Sequence, residues 1–416
     1  MLALPVDVHE AIIRELFARK EKATVKSLSL VCSSLTHICQ RHLLSHLTIT
    51  FPTAQSKRDQ HSSHATQELL QSSPHLIPII RSLSIIASST TWRQIDFALL
   101  YILQTLTNLN EFTWKSSSFS SHPARWAELP QPLQDAVRVV IRRPSLTSLV
   151  LHFADLTELL NTTIIVSPSL IQLRLQGTGY SNLTLELTRP SIIPCDDTGN
   201  PTLQELFVTT CKLEWIDDDE MFFGWMTTVQ PHLSFERLRK LAVLRCILNS
   251  TQVELPWGPL LYHESVRSKL EELWFDLGST RGPPAGTVYL DQLPSLRRLG
   301  LTADLSGIAA TWNLISGLAQ FFEIENNVEI THLALGFSFS TTSLVLNPLN
   351  MPWLRLDAAV AALPSLQWVG IQVIDCRCQP AMMIPENSEF LLPILSEKGV
   401  LHWSTSGLEF PHKLDN

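Results

Sequence analysis

The sequence predicts an α/β protein: a short helical unit at the N-terminus, then a stack of parallel strands with helices and loops outside. Three observations predict it. The phrase leucine, two residues, leucine, one residue, leucine recurs, as in Leu146-Thr-Ser-Leu149-Val-Leu151, Leu170-Ile-Gln-Leu173-Arg-Leu175 and Leu296-Arg-Arg-Leu299-Gly-Leu301. Pro-Ser-Leu or Pro-Thr-Leu enters five of the phrases, at 144–146, 168–170, 201–203, 294–296 and 364–366. Between phrases, apolar residues fall at helical spacing over 95–106, 131–142, 309–322 and 356–363. One phrase supplies one short strand that cannot bury its apolar residues alone; stacked copies can, which is the logic of a leucine-rich-repeat solenoid. The plainer alternative is an ordinary α/β domain with leucine-rich strands.

The leading segment reads as a small helical unit spanning 1–50. Val8, Ile12, Ile13 and Leu16 make one apolar stripe on a helix over 7–19, and Pro5 suits its approach, where a missing N–H costs little. Leu28, Leu30, Val31, Leu35 and Ile38 predict a second helix with these residues on one face. Residues 48–51 alternate like a strand. So few residues bury too little surface for a robust core, so the unit gains from packing on something else. Residues 51–75 are polar and rich in Ser, Gln and His, and read as a connector with a helical stretch at 65–71.

The repeat array is expected over 76–416. Ten phrases begin at 80, 109, 146, 170, 203, 238, 270, 296, 330 and 366, spaced 24 to 37 residues apart. That is longer and less regular than the roughly 20–29 of ordinary leucine-rich repeats, and points to helical insertions. Proline at the phrase entry ends the preceding helix and turns the chain into the strand. Residues 397–403 hint at one more strand.

Within a phrase, period-2 geometry buries the fourth and sixth positions and exposes the third and fifth. Arg174, Phe207, Lys240, Glu272, Trp274, Arg298 and Trp368 stand at such positions. Arg, Trp and Phe dominate protein-binding hot spots, so these seven are the expected contacts for a client protein. The other reading packs Phe207, Trp274 and Trp368 beneath a neighbouring insertion.

Composition narrows the function classes. Hydrophobic residues make up 45% and charged residues 17%, which leaves little room for extended disorder. Net charge is −8, with no Lys/Arg run longer than a pair such as Arg142-Arg143, so neither nucleic acid nor an anionic membrane is an expected partner. Acidic residues stand where a signal peptide keeps its apolar core, and no apolar run has the length of a membrane span. Seven scattered cysteines argue against a disulfide framework. The sequons at Asn161, Asn182 and Asn249 then read as chance matches, and the expected location is cytoplasmic or nuclear.

Catalytic signatures are missing from the sequence: there is no Gly-x-Gly-x-x-Gly, Walker loop, Gly-x-Ser-x-Gly or His-Glu-x-x-His. Cys376-Arg-Cys378 has the wrong spacing for a zinc pair and lacks a partner pair. The acidic run 217–220 reads as a solvated helix start. The expectation is a non-enzymatic protein with no cofactor and no metal.

The N-terminal motifs LPVDVHEAIIREL (4–16) and LSLVCSSL (28–35) resemble an F-box, in the compact form found in F-box-like proteins of mushroom-forming fungi. CQRHLLSHLTI (39–49) and LLQSSPHLIPIIRSLSI (69–85) are similar to that family as well. The resemblance implies a substrate receptor of an SCF-type ubiquitin ligase. Its F-box docks a Skp1-like adaptor and through it a cullin, while the repeats hold the client. By matching position, Leu4, Pro5, Ile12, Ile13, Leu16, Leu28, Val31 and Cys32 form or support the adaptor contact. Leu35 stands near the place where many F-boxes have tryptophan. The alternative is a leucine-rich-repeat interaction scaffold without a ligase role, its N-terminal helices acting as a cap.

Overall fold

The computed structural model describes residues 6–19, 21–31, 33–51, 62–87, 96–116, 126–152, 167, 169–176, 203–209, 235, 237–244, 258–277, 288–305, 308–325, 328–339, 352–375 and 391–403. They divide into two compact units, one ending at Leu173 and the other beginning at Arg174. Both combine parallel strands with helices.

The first unit opens with α1 (Val6–Ala18), α2 (Lys22–Leu28) and α3 (Ser33–Leu44). The second helix expected from sequence is thus two. Serines explain the break, because their hydroxyls compete for backbone groups: Ser29 Oγ donates to Lys26 O at 2.6 Å, and Thr36 Oγ1 ties α3 back to Ser29 O at 2.6 Å. Leu30 and Val31 therefore sit in a turn and face outward, instead of sharing a face with Leu28 and Leu35.

The unit continues with β1 (His46–Thr50), α4 (Ser62–Ser72), β2 (Ser82–Ala87), α5 (Phe97–Thr105), β3 (Glu111–Ser116), α6 (Gln131–Ile141) and β4 (Ser148–His152). Strands β1 to β4 pair in sequence order, all parallel. The polar stretch read as a connector carries α4, which packs against α5 with Leu70 buried. Asp96 caps α5, its Oδ1 accepting from Leu99 N at 3.1 Å. The far end of α5 is answered by Arg143, whose buried guanidinium donates to Leu106 O and, at 2.5 Å, to Leu103 O.

β5 (Gln172–Gln176) straddles the boundary between the units. The second unit holds β6 (Glu205–Thr209), β7 (Lys240–Leu244), α7 (Gly258–Leu261), α8 (Glu264–Arg267), β8 (Glu272–Asp276), β9 (Arg298–Leu305) and α9 (Ile308–Ile324). It ends with β10 (His332–Phe339), α10 (Trp353–Ala361), β11 (Trp368–Asp375), α11 (Pro393–Glu397) and β12 (Leu401–Trp403). Strands β6 to β12 again pair parallel in sequence order. Phrases and strands coincide, and the apolar alternation is obeyed. Leu149 and Leu151, Leu273 and Phe275, Leu299 and Leu301, and Leu333 and Leu335 are all buried.

A repeated backbone step joins neighbouring strands. The carbonyl just before one strand accepts from the two successive amides that open the next. Ser45 O takes Arg81 N and Ser82 N; Arg81 O takes Asn110 N and Glu111 N; Asn110 O takes Thr147 N and Ser148 N. The second unit repeats it at Arg239, Glu271, Arg297 and Thr331. Each step satisfies polar groups that would otherwise be stranded at the strand entry. The serine of Pro-Ser-Leu adds a side-chain bond to the preceding turn: Ser145 Oγ to Leu109 O at 2.8 Å, and Ser295 Oγ to Ser268 O at 2.7 Å.

Candidate functional site

Two surfaces carry the residues singled out in the sequence. In the helical unit, Ile13, Val25, Ile38 and Cys39 form a closed core, with Leu16, Leu28, Leu35 and Leu43 packed on it. The neighbouring position on α1 points the other way: Ile12 is 46% exposed, against 1% for Ile13. In the turn after α2, Leu30 is 88% and Val31 69% exposed, and Val8 is exposed as well.

Of the eight residues assigned to adaptor contact, Ile12 and Val31 face solvent, while Ile13, Leu16 and Leu28 build the core beneath. Leu4, Pro5 and Cys32 lie outside the described residues. Val8 and Leu30 complete the outward set and were not among the eight. The signal for Leu30 was present in the serines around it, which stop α2 before the apolar pattern runs out. Beside this surface, Glu10 on α1 pairs with Arg14 at 3.5 Å and with Arg41 on α3 at 3.7 Å. The first pair lies within α1 and the second joins α1 to α3; exposed as they are, they add little stability.

The second surface lies on one side of β6 to β12. Strand register places Glu205, Lys240, Glu272, Arg298, His332 and Trp368 in one row, and Phe207, Ala242, Trp274, Gly300, Ala334, Gly370 and His402 in the next. Lys240, Glu272, Trp274, Arg298 and Trp368 are half-buried. Arg174 is half-buried on β5, and the side chain of Phe207 lies outside the described residues.

The fifth positions depart from expectation: Ala242, Gly300, Ala334 and Gly370 are buried. At the two glycines the cause is the tryptophans. A Cβ built on Gly300 would come within 2.1 Å of Trp274 Cδ2, and one on Gly370 within 2.0 Å of Trp368 Cη2. Each indole lies against bare backbone, a seat that only glycine provides.

Polar groups fix these rings. Trp274 Nε1 donates to Glu272 Oε1 at 3.0 Å, and the other oxygen of Glu272 accepts from Arg298 Nη1 at 3.4 Å. Trp368 has His332 on one side, ring centroids 6.2 Å apart, and His402 stacked on the other at 5.9 Å and 18°. Thr331 Oγ1 donates its single proton to Arg297 O at 3.0 Å, so at 2.8 Å it accepts from His332 Nδ1. Arg298, Glu272 and Trp274 thus form one hydrogen-bonded cluster, and Trp368 with His332 and His402 a second cluster of packed rings in the same rows.

Burial holds the His332 pKa below 6.5, with the Arg298 charge acting the same way and Glu272 opposing. The unfolded chain therefore takes up a proton first as pH falls. Stability from this histidine is complete above about 6.5 and declines from there toward the folded value. Denaturant midpoints at pH 7.5 and pH 5.5 should show a larger acid loss in the wild type than in His332→Gln. Equal losses would place the titration elsewhere.

Gly300→Ala drives a methyl into the Trp274 ring. The expected cost is about 1–3 kcal/mol in chemical denaturation, the usual range for overpacking a filled site.

No protein-family model matches the chain, and no curated protein matches it. Among the described residues, no helix is long and apolar enough to cross a membrane. No group of three or more His, Cys, Asp and Glu residues among them is placed to hold a metal ion.

Proposed function

We propose that the chain is a substrate-recognition adaptor of an SCF-type ubiquitin ligase, acting in the cytoplasm or nucleus. The N-terminal helices are an F-box-like unit that docks a Skp1-like adaptor and through it a cullin. The strands and helices that follow are a leucine-rich-repeat solenoid whose strand face takes the client. Ubiquitin transfer belongs to the partners, and this chain contributes recognition alone.

The observation that carries the reading is the outward apolar set Val8, Ile12, Leu30 and Val31 on the unit whose sequence resembles an F-box. A solvated turn has no folding reason to present two adjacent aliphatic side chains, and such patches mark partner surfaces. Hydrogen bonds at Ser29 and Thr36 fix the turn, so presenting them costs little further ordering. The repeated carbonyl-to-two-amides step supports the solenoid reading. The hydrogen-bonded cluster of Trp274, Glu272 and Arg298 and the ring cluster around Trp368 support a preset client face, with Arg174, Phe207 and Lys240 as further contacts.

A second reading makes the chain an interaction scaffold, with the helices only capping the first strand. It is favoured by the direct passage of α3 into β1 through Ser45, whose carbonyl makes the first step of the ladder. Substitution separates the two. Ile12→Asp and Val31→Asp should abolish recovery of the full chain with a Skp1-like adaptor, and the outer-helix change Val139→Asp should not. If no variant differs from wild type, the helices are a cap.

A further inference from the structure

We infer that residues 391–403 form a latch that opens as one piece, with Asp357 as its catch, and that opening strips Trp368 of the ring stacked on it. Asp357 sits on α10, fully buried. Both carboxylate oxygens are taken by α11: Oδ2 accepts from Ile394 N at 2.7 Å and Oδ1 from Leu395 N at 3.0 Å. These are amides of the first turn of α11, which have no partner within their own helix. A bond in the opposite direction closes the pair, Lys398 Nζ donating to Ala361 O at the end of α10 at 2.6 Å.

Gly399, at a φ of +70°, then turns the chain into β12. This strand pairs with β11 over three residues, whereas β9, β10 and β11 pair with one another over eight. The segment is thus held by little ladder, by buried Leu391, Leu392 and Leu395, and by these side-chain bonds. Elements with few backbone bonds open first and as contiguous pieces.

The catch is retained at a cost. Burial pushes the Asp357 pKa up, the two amides pull the other way, and the Glu397 charge adds to the rise. An apolar residue would avoid that cost and leave two amides unanswered, the one of Leu395 buried, so the carboxylate serves to fix α11 in one place. His402 travels with β12, so the latch sets the stacking of Trp368. Its bearing on client binding rests on the function proposed above; the opening itself does not.

Hydrogen exchange on the full chain tests the latch without any client. In Asp357→Ala, amides of 391–403 should exchange about tenfold faster or more, the loss expected for one hydrogen bond to a charged group. A smaller gain is expected in Lys398→Met, with 298–305 and 332–339 at wild-type rates in both. Wild-type rates at 391–403, or acceleration spread evenly over 298–403, would overturn the latch. With fluorotryptophan incorporated, the Trp368 resonance, assigned by Trp368→Phe, should shift in Asp357→Ala. An unmoved line would overturn the coupling.

Discussion

Ile13→Asp should unfold the helical unit while Ile12→Asp leaves it folded. The two isoleucines are neighbours in sequence, but Ile12 is 46% exposed and Ile13 1%, so they stand on different faces of α1. A carboxylate at position 13 enters a cluster of Val25, Ile38 and Cys39 that is apolar throughout. The penalty is on the order of 4 kcal/mol or more, the range of an unpaired charge or orphaned polar group in a core. Three short helices have little reserve against it. Exchange protection over 6–44 should disappear in Ile13→Asp and persist in Ile12→Asp. Protection kept in Ile13→Asp would mean that the Ile13 core does not hold the unit together. Loss of adaptor binding in Ile13→Asp therefore says nothing about the interface, whose clean probes are the exposed Val8, Ile12, Leu30 and Val31.

Arg143→Ala should lower the stability of the first unit by about 2–4 kcal/mol. The guanidinium reaches back from the turn after α6 to carbonyls at the end of α5, binding Leu103, Leu106 and, more weakly at 3.5 Å, Gln104. Those carbonyls are the unanswered negative end of a helix, where a cation is favoured twice, by hydrogen bonding and by the dipole. Burial lowers the Arg143 pKa, so desolvation opposes the charge. Removing the guanidinium strands the carbonyls in its place. Lysine should rescue only in part, because one ammonium cannot fork across separate acceptors as a guanidinium does. Denaturant titration measures both variants. A change within 0.5 kcal/mol for alanine would show that other groups answer the end of α5.

Much of this fold is legible in the sequence because strand spacing and helix spacing are local signals. Leu149 and Leu151, or Leu333 and Leu335, needed only period 2 to be placed inside. The helix over 131–142 appears as α6 almost to the residue, its apolar side answering the strands. What stayed hidden depends on partners far along the chain. Nothing near Arg143 names a helix end some 40 residues earlier, and nothing near Asp357 names the amides of Ile394 and Leu395. The strand face was half legible: alternation put Trp274 and Trp368 on the correct side. Only cross-strand register shows that Gly300 on β9 seats Trp274 of β8, whereas Gly370 lies two residues beyond Trp368 on β11 itself and seats its ring from within the strand; both fifth positions are thereby roofed. In the helical unit the apolar pattern runs across a break that the serines impose, so Leu30 and Val31 lie in an exposed turn and do not share one helix face with Leu28, Leu35 and Ile38.

The most direct test of the account is the footprint of a Skp1-like adaptor on the full chain by hydrogen exchange. New protection is expected at residues 8–12 and 28–31, with β2, β3 and β4 unchanged. Failure to bind, or protection that leaves those two segments untouched, would contradict it.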